Sequence, residues 1–232
     1  MPTMSALEAS FCRSAPWRLV ARRVVPWATQ GVPLAGDVLE IGVGSGAMAD
    51  ELARANPLLR LTTTDFDPVM VDAARERLAK YPHVTVRHAD VTQLPFDDET
   101  FDSVVSFLML HHVIDWEKAI AEVARALRPR GMFAGYDLTA SRVASWIHLA
   151  DRSPHRLIER RAFKPVLGQV GLNAVALRYS LGGRVMRFTA RKPALPARAG
   201  GVPDLGLDRR RSRRNASSAG TCRARLWRQA RL

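Results

Sequence analysis

Short apolar runs and amphipathic segments alternate along residues 37–138. The runs are rich in Val, Ile, Leu and Thr and predict strands, while segments with apolar residues every three or four positions predict helices. Five strands are predicted at 37–41, 59–64, 84–88, 101–107 and 132–138, and three helices at 47–55, 67–80 and 116–127. This alternation is typical of an α/β protein whose open parallel sheet is covered by helices on both faces.

The flanking segments predict other elements. Residues 17–25 predict a short amphipathic helix that ends at Pro26, within an N-terminal helical segment of residues 1–36. Residues 142–171 predict one or two helices. Two further strands, 174–179 and 185–191, are joined by only five residues, which predicts an antiparallel hairpin at the sheet edge. Periodicity ends after Pro193.

Charge is distributed unevenly. The formal net charge is +13, but residues 191–232 carry 12 Lys and Arg against 2 Asp and Glu, and the remaining residues 23 against 20. We therefore expect a nearly neutral domain over 37–192 and a basic, disordered tail over 193–232. An arginine-rich tail can bind phosphates without sequence specificity, so a nucleic-acid-binding arm is one hypothesis. Solvated disorder, or translation out of frame in a GC-rich gene, is the favoured one.

The remaining bulk features indicate the compartment. Two distant cysteines form neither a disulfide framework nor a metal-binding spacing, and arginines interrupt the first thirty residues. The longest apolar run, 104–110, is too short to cross a bilayer. We expect a cytoplasmic protein without a metal site.

The first predicted strand runs into a glycine turn that suits a nucleotide-like cofactor. Glu40 lies near the end of the strand, and Gly42, Gly44 and Gly46 precede a helix. The spacing satisfies the loose dinucleotide fingerprint, and Asp65 lies at the distance expected for a ribose contact. On these residues alone, a nicotinamide-dependent oxidoreductase remains an alternative.

Four further segments occur in a characteristic order: Val38 to Gly46, Thr64 to Pro68, His88 to Val91 and Phe101 to Ser106. With them the chain closely resembles the class I S-adenosylmethionine-dependent methyltransferases, in particular the single-domain enzymes that act on small molecules. The resemblance is strong over 37–131 and looser to 192. It implies a Rossmann-like, doubly wound, seven-stranded sheet, mostly parallel, into which the last strand inserts antiparallel.

The resemblance also implies the cofactor-binding residues. Glu40, Gly42, Gly44 and Gly46 would hold the amino-acid end of S-adenosyl-L-methionine, and Asp65 would accept hydrogen bonds from both ribose hydroxyls. The adenine would lie against Phe66 and Val91 and donate its amino group to Asp90. Phe107, just past the fourth strand, would border the methionine portion. The cofactor-binding residues that the resemblance implies are therefore Glu40, Gly42, Gly44, Gly46, Asp65, Phe66, Asp90, Val91 and Phe107.

Methyl transfer from a sulfonium is a direct displacement, so a general base is needed only for a protonated nucleophile. His111 and His112 follow the fourth strand and are the first candidates, although packing or capping of the loop before Trp116 is the favoured explanation for them. Tyr136 and Asp137 are a second pair. Residues 97–99 predict a solvated acidic turn, and residues 152–161 either a solvated helix face or a contact for an acidic substrate.

The expected partner is a small-molecule methyl acceptor, which residues 1–36 and 139–171 would recognise. An RNA methyltransferase steered by the tail is an alternative, but the folded part shows neither a basic surface nor an aromatic stacking platform. A cofactor-binding scaffold without chemistry is a further alternative. Glu40, the three glycines, Asp65 and Asp90 argue against it.

Overall fold

A computed structural model describes residues 14–141 and 155–194, all within a single structural unit. Residues 1–13, residues 142–154 of the segment predicted as one or two helices over 142–171, and the predicted tail beyond residue 194 lie outside the described residues. Their elements run in chain order as α1 (Ala15–Ala28), β1 (Asp37–Ile41), α2 (Ala47–Ala55), β2 (Arg60–Asp65), α3 (Pro68–Leu78), β3 (Val84–His88), β4 (Phe101–Phe107), α4 (Trp116–Ala126), β5 (Leu127–Leu138), α5 (Phe163–Gln169), β6 (Asn173–Ser180) and β7 (Val185–Arg191). Single 3₁₀ turns lie at Leu110–His112 and Leu181–Gly183.

The strands form one seven-stranded sheet in the order β3-β2-β1-β4-β5-β7-β6. The first five pair in parallel, whereas β7 inserts antiparallel between β5 and β6. The predicted doubly wound fold and its antiparallel hairpin are confirmed. Strand order reverses at β1 and β4, which is where such sheets bind ligands.

Helices cover both faces of the sheet. Neighbouring residues of one strand face opposite sides, so Val104 packs in one core cluster and Val105 in the other. One cluster includes α4 and α5, and the other α1, α2 and α3. The nearly continuous apolar character of β4 follows from this double cover.

Helix α1 continues through Pro26, so the predicted helix end is wrong. Proline lacks the N–H that would bond one turn back, yet only two helical residues, Trp27 and Ala28, follow it. Ala21, Val25 and Ala28 are buried on both sides of this position, and Thr29 N donates to Val25 O at 3.0 Å. Packing of the inner face therefore outweighs the missing bond.

Strand β5 begins five residues earlier than predicted. Leu127 pairs with Phe101, and the register then shifts before Ser103 pairs with Met132. Arg128 donates to Asp102 Oδ2 at 2.7 Å, and Arg130 takes a left-handed conformation with φ 69°. The bulge thus extends the strand through a Pro-Arg-Gly segment that a sequence pattern assigns to a loop.

None of the helices in the described residues is long and apolar enough to cross a membrane.

Candidate cofactor site at the carboxyl ends of the strands

The glycine turn between β1 and α2 needs glycine for two different reasons. Gly42, Gly44 and Gly46 have φ values of 71°, 52° and 81°, in the left-handed region that side chains disfavour. A Cβ atom on Gly42 would also lie 1.9 Å from Cγ of Met109. The turn is therefore closely packed beneath a side chain from the loop after β4, which sequence spacing alone does not reveal.

Asp65, the last residue of β2, ties this turn to the neighbouring strand. Gly44 N donates to its Oδ2 at 2.7 Å, and Asp67 N donates to its Oδ1 at 3.0 Å. Burial raises the pKa of Asp65, and these backbone hydrogen bonds oppose that rise. Asp67 itself caps α3 by accepting from Val69 N at 2.9 Å, as predicted from the Asp-Pro sequence.

Glu40 is the most unusual group at this edge. Its side chain is buried, with 1% of its surface exposed, and Oε2 has no hydrogen-bond partner among the described residues. Burial raises the pKa of Glu40 well above its usual value, and the nearby charge of Asp65 raises it further. Buried carboxylate oxygens are normally paired, so Glu40 can accept from a donor other than those of residues 14–141 and 155–194.

The third acidic strand end is Asp90, which follows β3. Its Oδ1 accepts from the amide and the hydroxyl of Thr92, at 2.8 and 2.7 Å. Ala89 N donates to Asp65 O at 2.9 Å, which places the ends of β2 and β3 side by side. Val91 is buried, and the half-buried Phe66 lies beside His88 with ring centroids 5.8 Å apart.

Phe107 is the last residue of β4, where the predicted strand 101–107 also ends. Its ring lies 6.1 Å from that of Tyr136 on β5, and Tyr136 meets Trp27 of α1 edge-to-face at 5.8 Å. Arg187 of β7 stacks over Trp27 at 5.5 Å and donates to Trp27 O at 2.7 Å. No sequence pattern predicts Trp27 at this place, because tertiary packing brings a residue of a helix distant along the chain to it.

His111 and Asp137 form a buried pair on the other side of the sheet. His111 Nδ1 lies 2.5 Å from Asp137 Oδ1, and Asp137 Oδ2 accepts from Leu110 N at 2.7 Å and Met109 N at 3.2 Å. The ring of His111 contacts that of His112, with centroids 4.0 Å apart. Asp137 therefore fixes the loop after β4. His111 and Asp137 are separate candidates by sequence. Their pairing across 26 residues has no local sequence signal.

Two other charged segments resolve into ion pairs. In the acidic turn, Asp98 pairs with Arg125 at 2.8 Å. In the described part of residues 152–161, Arg156 forms two bonds of 2.7 Å to Glu117, and Arg160 donates to Gly182 O at 3.2 Å. Within 14–141 and 155–194, no group of three or more His, Cys, Asp or Glu could hold a metal ion.

Residues 39–135 match a family model described as "Methyltransferase domain". This range begins inside β1 and includes every predicted cofactor-binding residue. These 97 of the chain's 232 residues form a methyltransferase domain by sequence similarity.

Two curated relatives of this methyltransferase domain illustrate the similarity. A demethylmenaquinone methyltransferase of Clavibacter sepedonicus is 34% identical over 116 residues, which are 50% of this chain and 44% of the relative. A phthiotriol/phenolphthiotriol dimycocerosates methyltransferase of Mycobacterium leprae is 33% identical over 150 residues, 63% of this chain and 55% of the relative. The chain thus spans about half the length of the curated relatives it matches.

Among solved structures, the domain resembles the geranyl diphosphate C-methyltransferase of Streptomyces coelicolor A3(2). That protein was crystallised with Mg²⁺, geranyl diphosphate and S-adenosyl-L-homocysteine. The TM-score is 0.66 with 15% identity, over 76% of this chain and 81% of that one. At this level of identity the likeness concerns the fold.

The residues of this methyltransferase domain suit S-adenosylmethionine chemically. The cofactor carries an ammonium group, and the unpartnered Glu40 oxygen is an acceptor for such a donor. A ribose diol presents two hydroxyl donors, and Asp65 is a carboxylate at the end of the adjacent strand. Two amides of the glycine turn are already engaged, Gly44 N with Asp65 Oδ2 and Gly46 N with Val43 O, and the start of α2 suits a carboxylate.

Proposed function

We propose that this protein transfers a methyl group from S-adenosylmethionine to a small molecule. The observation that carries the proposal is the clustering of an unpartnered buried carboxylate, Glu40, with Asp65 and a left-handed glycine turn at the reversal in strand order. The matched methyltransferase domain supports the class of reaction.

In this proposal each strand end contacts one part of the cofactor. Glu40 accepts from the ammonium group, and the turn of Gly42, Gly44 and Gly46 lies along the methionine end. Asp65 accepts from the ribose hydroxyls. The adenine would contact Phe66 and Val91, its amino group would donate to Asp90, and Phe107 would border the methionine portion.

When bound, S-adenosylmethionine supplies a methyl group already activated on a positively charged sulfur. The protein then has to align the acceptor atom with that methyl group and exclude water. Asp137 supports this alignment by holding the amides of Met109 and Leu110, so that the loop after β4 keeps one conformation beside Gly42.

The acceptor side is proposed to be apolar. Phe107, Tyr136 and Trp27 form a continuous row of aromatic rings from the end of β4 to α1. Such a row favours a flat or hydrocarbon-rich acceptor over a highly charged one. The name of the demethylmenaquinone methyltransferase relative is consistent with an acceptor of this kind.

The geometry favours a positioning role for His111. A carboxylate only accepts hydrogen bonds, so the contact with Asp137 keeps a proton on Nδ1. A base role for His111 or His112 stays a prediction. A pH profile of methyl transfer that loses its acidic limb in His111→Asn or His112→Asn would identify the base.

Calorimetry with S-adenosylhomocysteine and with NAD tests the cofactor assignment. We expect binding of the thioether and none of NAD, and the reverse would contradict the proposal by favouring an oxidoreductase. Methyl transfer itself is measured with S-adenosylmethionine radiolabelled on the methyl group and a panel of quinone, phenol and prenyl acceptors. A charged, water-soluble acceptor preferred over this panel would overturn the apolar acceptor class.

A further inference from the structure

Helix α1 is apolar on two opposite faces. Its inner face, formed by Ala21, Val25 and Ala28, is buried against the sheet. On the outer side Leu19 is 56% exposed, Val20 40% and Trp27 36%. A helix that covers a sheet ordinarily has polar residues on its outer face. The exposed apolar residues of α1 therefore indicate a surface that binds a partner.

The exposed apolar residues share one surface with a cation. Leu19, Arg23 and Trp27 follow one another at intervals of four, and Val20 lies three positions before Arg23. Residues at these spacings are neighbours on a helix. Arg22 and Arg23 are both exposed, and neither has a hydrogen-bond or ion-pair partner in residues 14–141 and 155–194. The helix contains no acidic residue.

Two side chains hold Trp27 in place at the C-terminal end of this surface. Tyr136 contacts the Trp27 ring from the core side, and Arg187 stacks over it at 5.5 Å. Arg187 also donates to Gln30 Oε1 at 2.9 Å, just beyond the helix. Trp27 therefore keeps a fixed position with a third guanidinium beside it, which reduces the entropy lost when the surface docks.

We propose that this outer face of α1 docks onto an anionic lipid bilayer. Leu19, Val20 and Trp27 would enter the interfacial region, where tryptophan is favoured, while Arg22 and Arg23 would bind lipid phosphates. The helix would lie along the membrane surface rather than cross it.

Charge favours a bilayer over a second copy of the chain. In a symmetric dimer, the same patch meets itself. The arginines of both copies would then face each other, with no acidic residue on α1 to pair them. An anionic bilayer satisfies the apolar residues and the guanidinium groups together. The docking face shares only Trp27 with the proposed acceptor row, and the variants below leave Trp27 unchanged, so the inference does not depend on the proposed function.

The test uses the full chain and sucrose-loaded vesicles of phosphatidylcholine with about one third phosphatidylglycerol. The variant L19E/V20E is compared with L58E/V175E, which makes the same charge change at exposed apolar residues elsewhere. The basic segment after residue 191 contributes equally to both, since their net charges match. We expect the partition coefficient of L19E/V20E to be lower than that of its control by about tenfold or more.

A second pair tests the cationic part without placing acids on the helix. R22Q/R23Q is compared with R161Q/R178Q, which removes two other exposed arginines. We expect R22Q/R23Q to show the larger loss, and only on vesicles that contain phosphatidylglycerol. Equal losses within both pairs, or no binding by the unaltered chain, would overturn the proposal. So would a dimer that L19E/V20E dissociates in analytical ultracentrifugation, because the occupant would then be a second copy.

Discussion

Replacement of Asp65 with alanine probes the proposed ribose contact directly. The change removes a carboxylate that accepts from Gly44 N at 2.7 Å and Asp67 N at 3.0 Å, and that would also accept from the cofactor. A hydrogen bond to a charged group contributes about 1.5–3 kcal/mol. We therefore expect the Kd for S-adenosylhomocysteine to rise about 10- to 150-fold.

The measurement is isothermal titration calorimetry, with Asp97→Ala as the matched control. Asp97 lies exposed in the acidic turn after β3, so its removal changes the net charge equally and should leave the affinity unchanged. Asp65→Asn keeps the size and one acceptor oxygen, and we expect an intermediate affinity. If Asp65→Ala bound as tightly as the control, the reasoning that places the ribose at the end of β2 would be refuted.

Three further predictions concern stability. Burial raises the pKa of Glu40 in the folded state, so the folded protein holds this proton more tightly and loses stability as pH rises from about 4.5 through the folded pKa. We expect the free energy of unfolding in urea to fall less with rising pH in Glu40→Gln than in the unaltered protein. Parallel pH dependences of the two proteins would contradict this prediction. Asp137→Ala leaves three buried donors unpaired and should destabilise by about 3 kcal/mol or more, whereas Asp98→Ala should stay within about 0.5 kcal/mol. Pro26→Ala restores a helical N–H and should raise the free energy of unfolding by about 1–2 kcal/mol, since the helix penalty of proline exceeds its effect on the unfolded chain. A lower melting temperature for this variant would mean that Pro26 fits the helix end without strain.

Local patterns predicted most of the fold because the central strands β1, β4 and the core half of β5 are buried on both faces. The parallel strands follow from this burial, the hairpin from its five-residue connection, and the cap at Asp67 from the Asp-Pro sequence. Predictions failed where tertiary contacts override a local signal. Packing of Val25 and Ala28 carries α1 past Pro26, and a bulge adds residues 127–131 to β5.

At the candidate site, the order of motifs predicted which strand ends come together. It could not predict how their side chains pair. The contact of Gly44 with Asp65, the unpartnered oxygen of Glu40 and the burial of His111 against Asp137 depend on distances between segments remote in sequence. Side-chain partners of this kind leave no periodic trace in the chain.

The insertion of β7 between β5 and β6 also has a consequence during synthesis. Along its core half, from Met132 to Leu138, β5 finds its second neighbour only in residues 185–191. A nascent chain that has emerged from the ribosome only as far as α5 would display this hydrophobic strand with an open edge, a surface prone to aggregation. The open edge of β5 is covered only when the hairpin of β6 and β7 has emerged. A translational pause shortly before Val185 would therefore prolong the state most prone to aggregation.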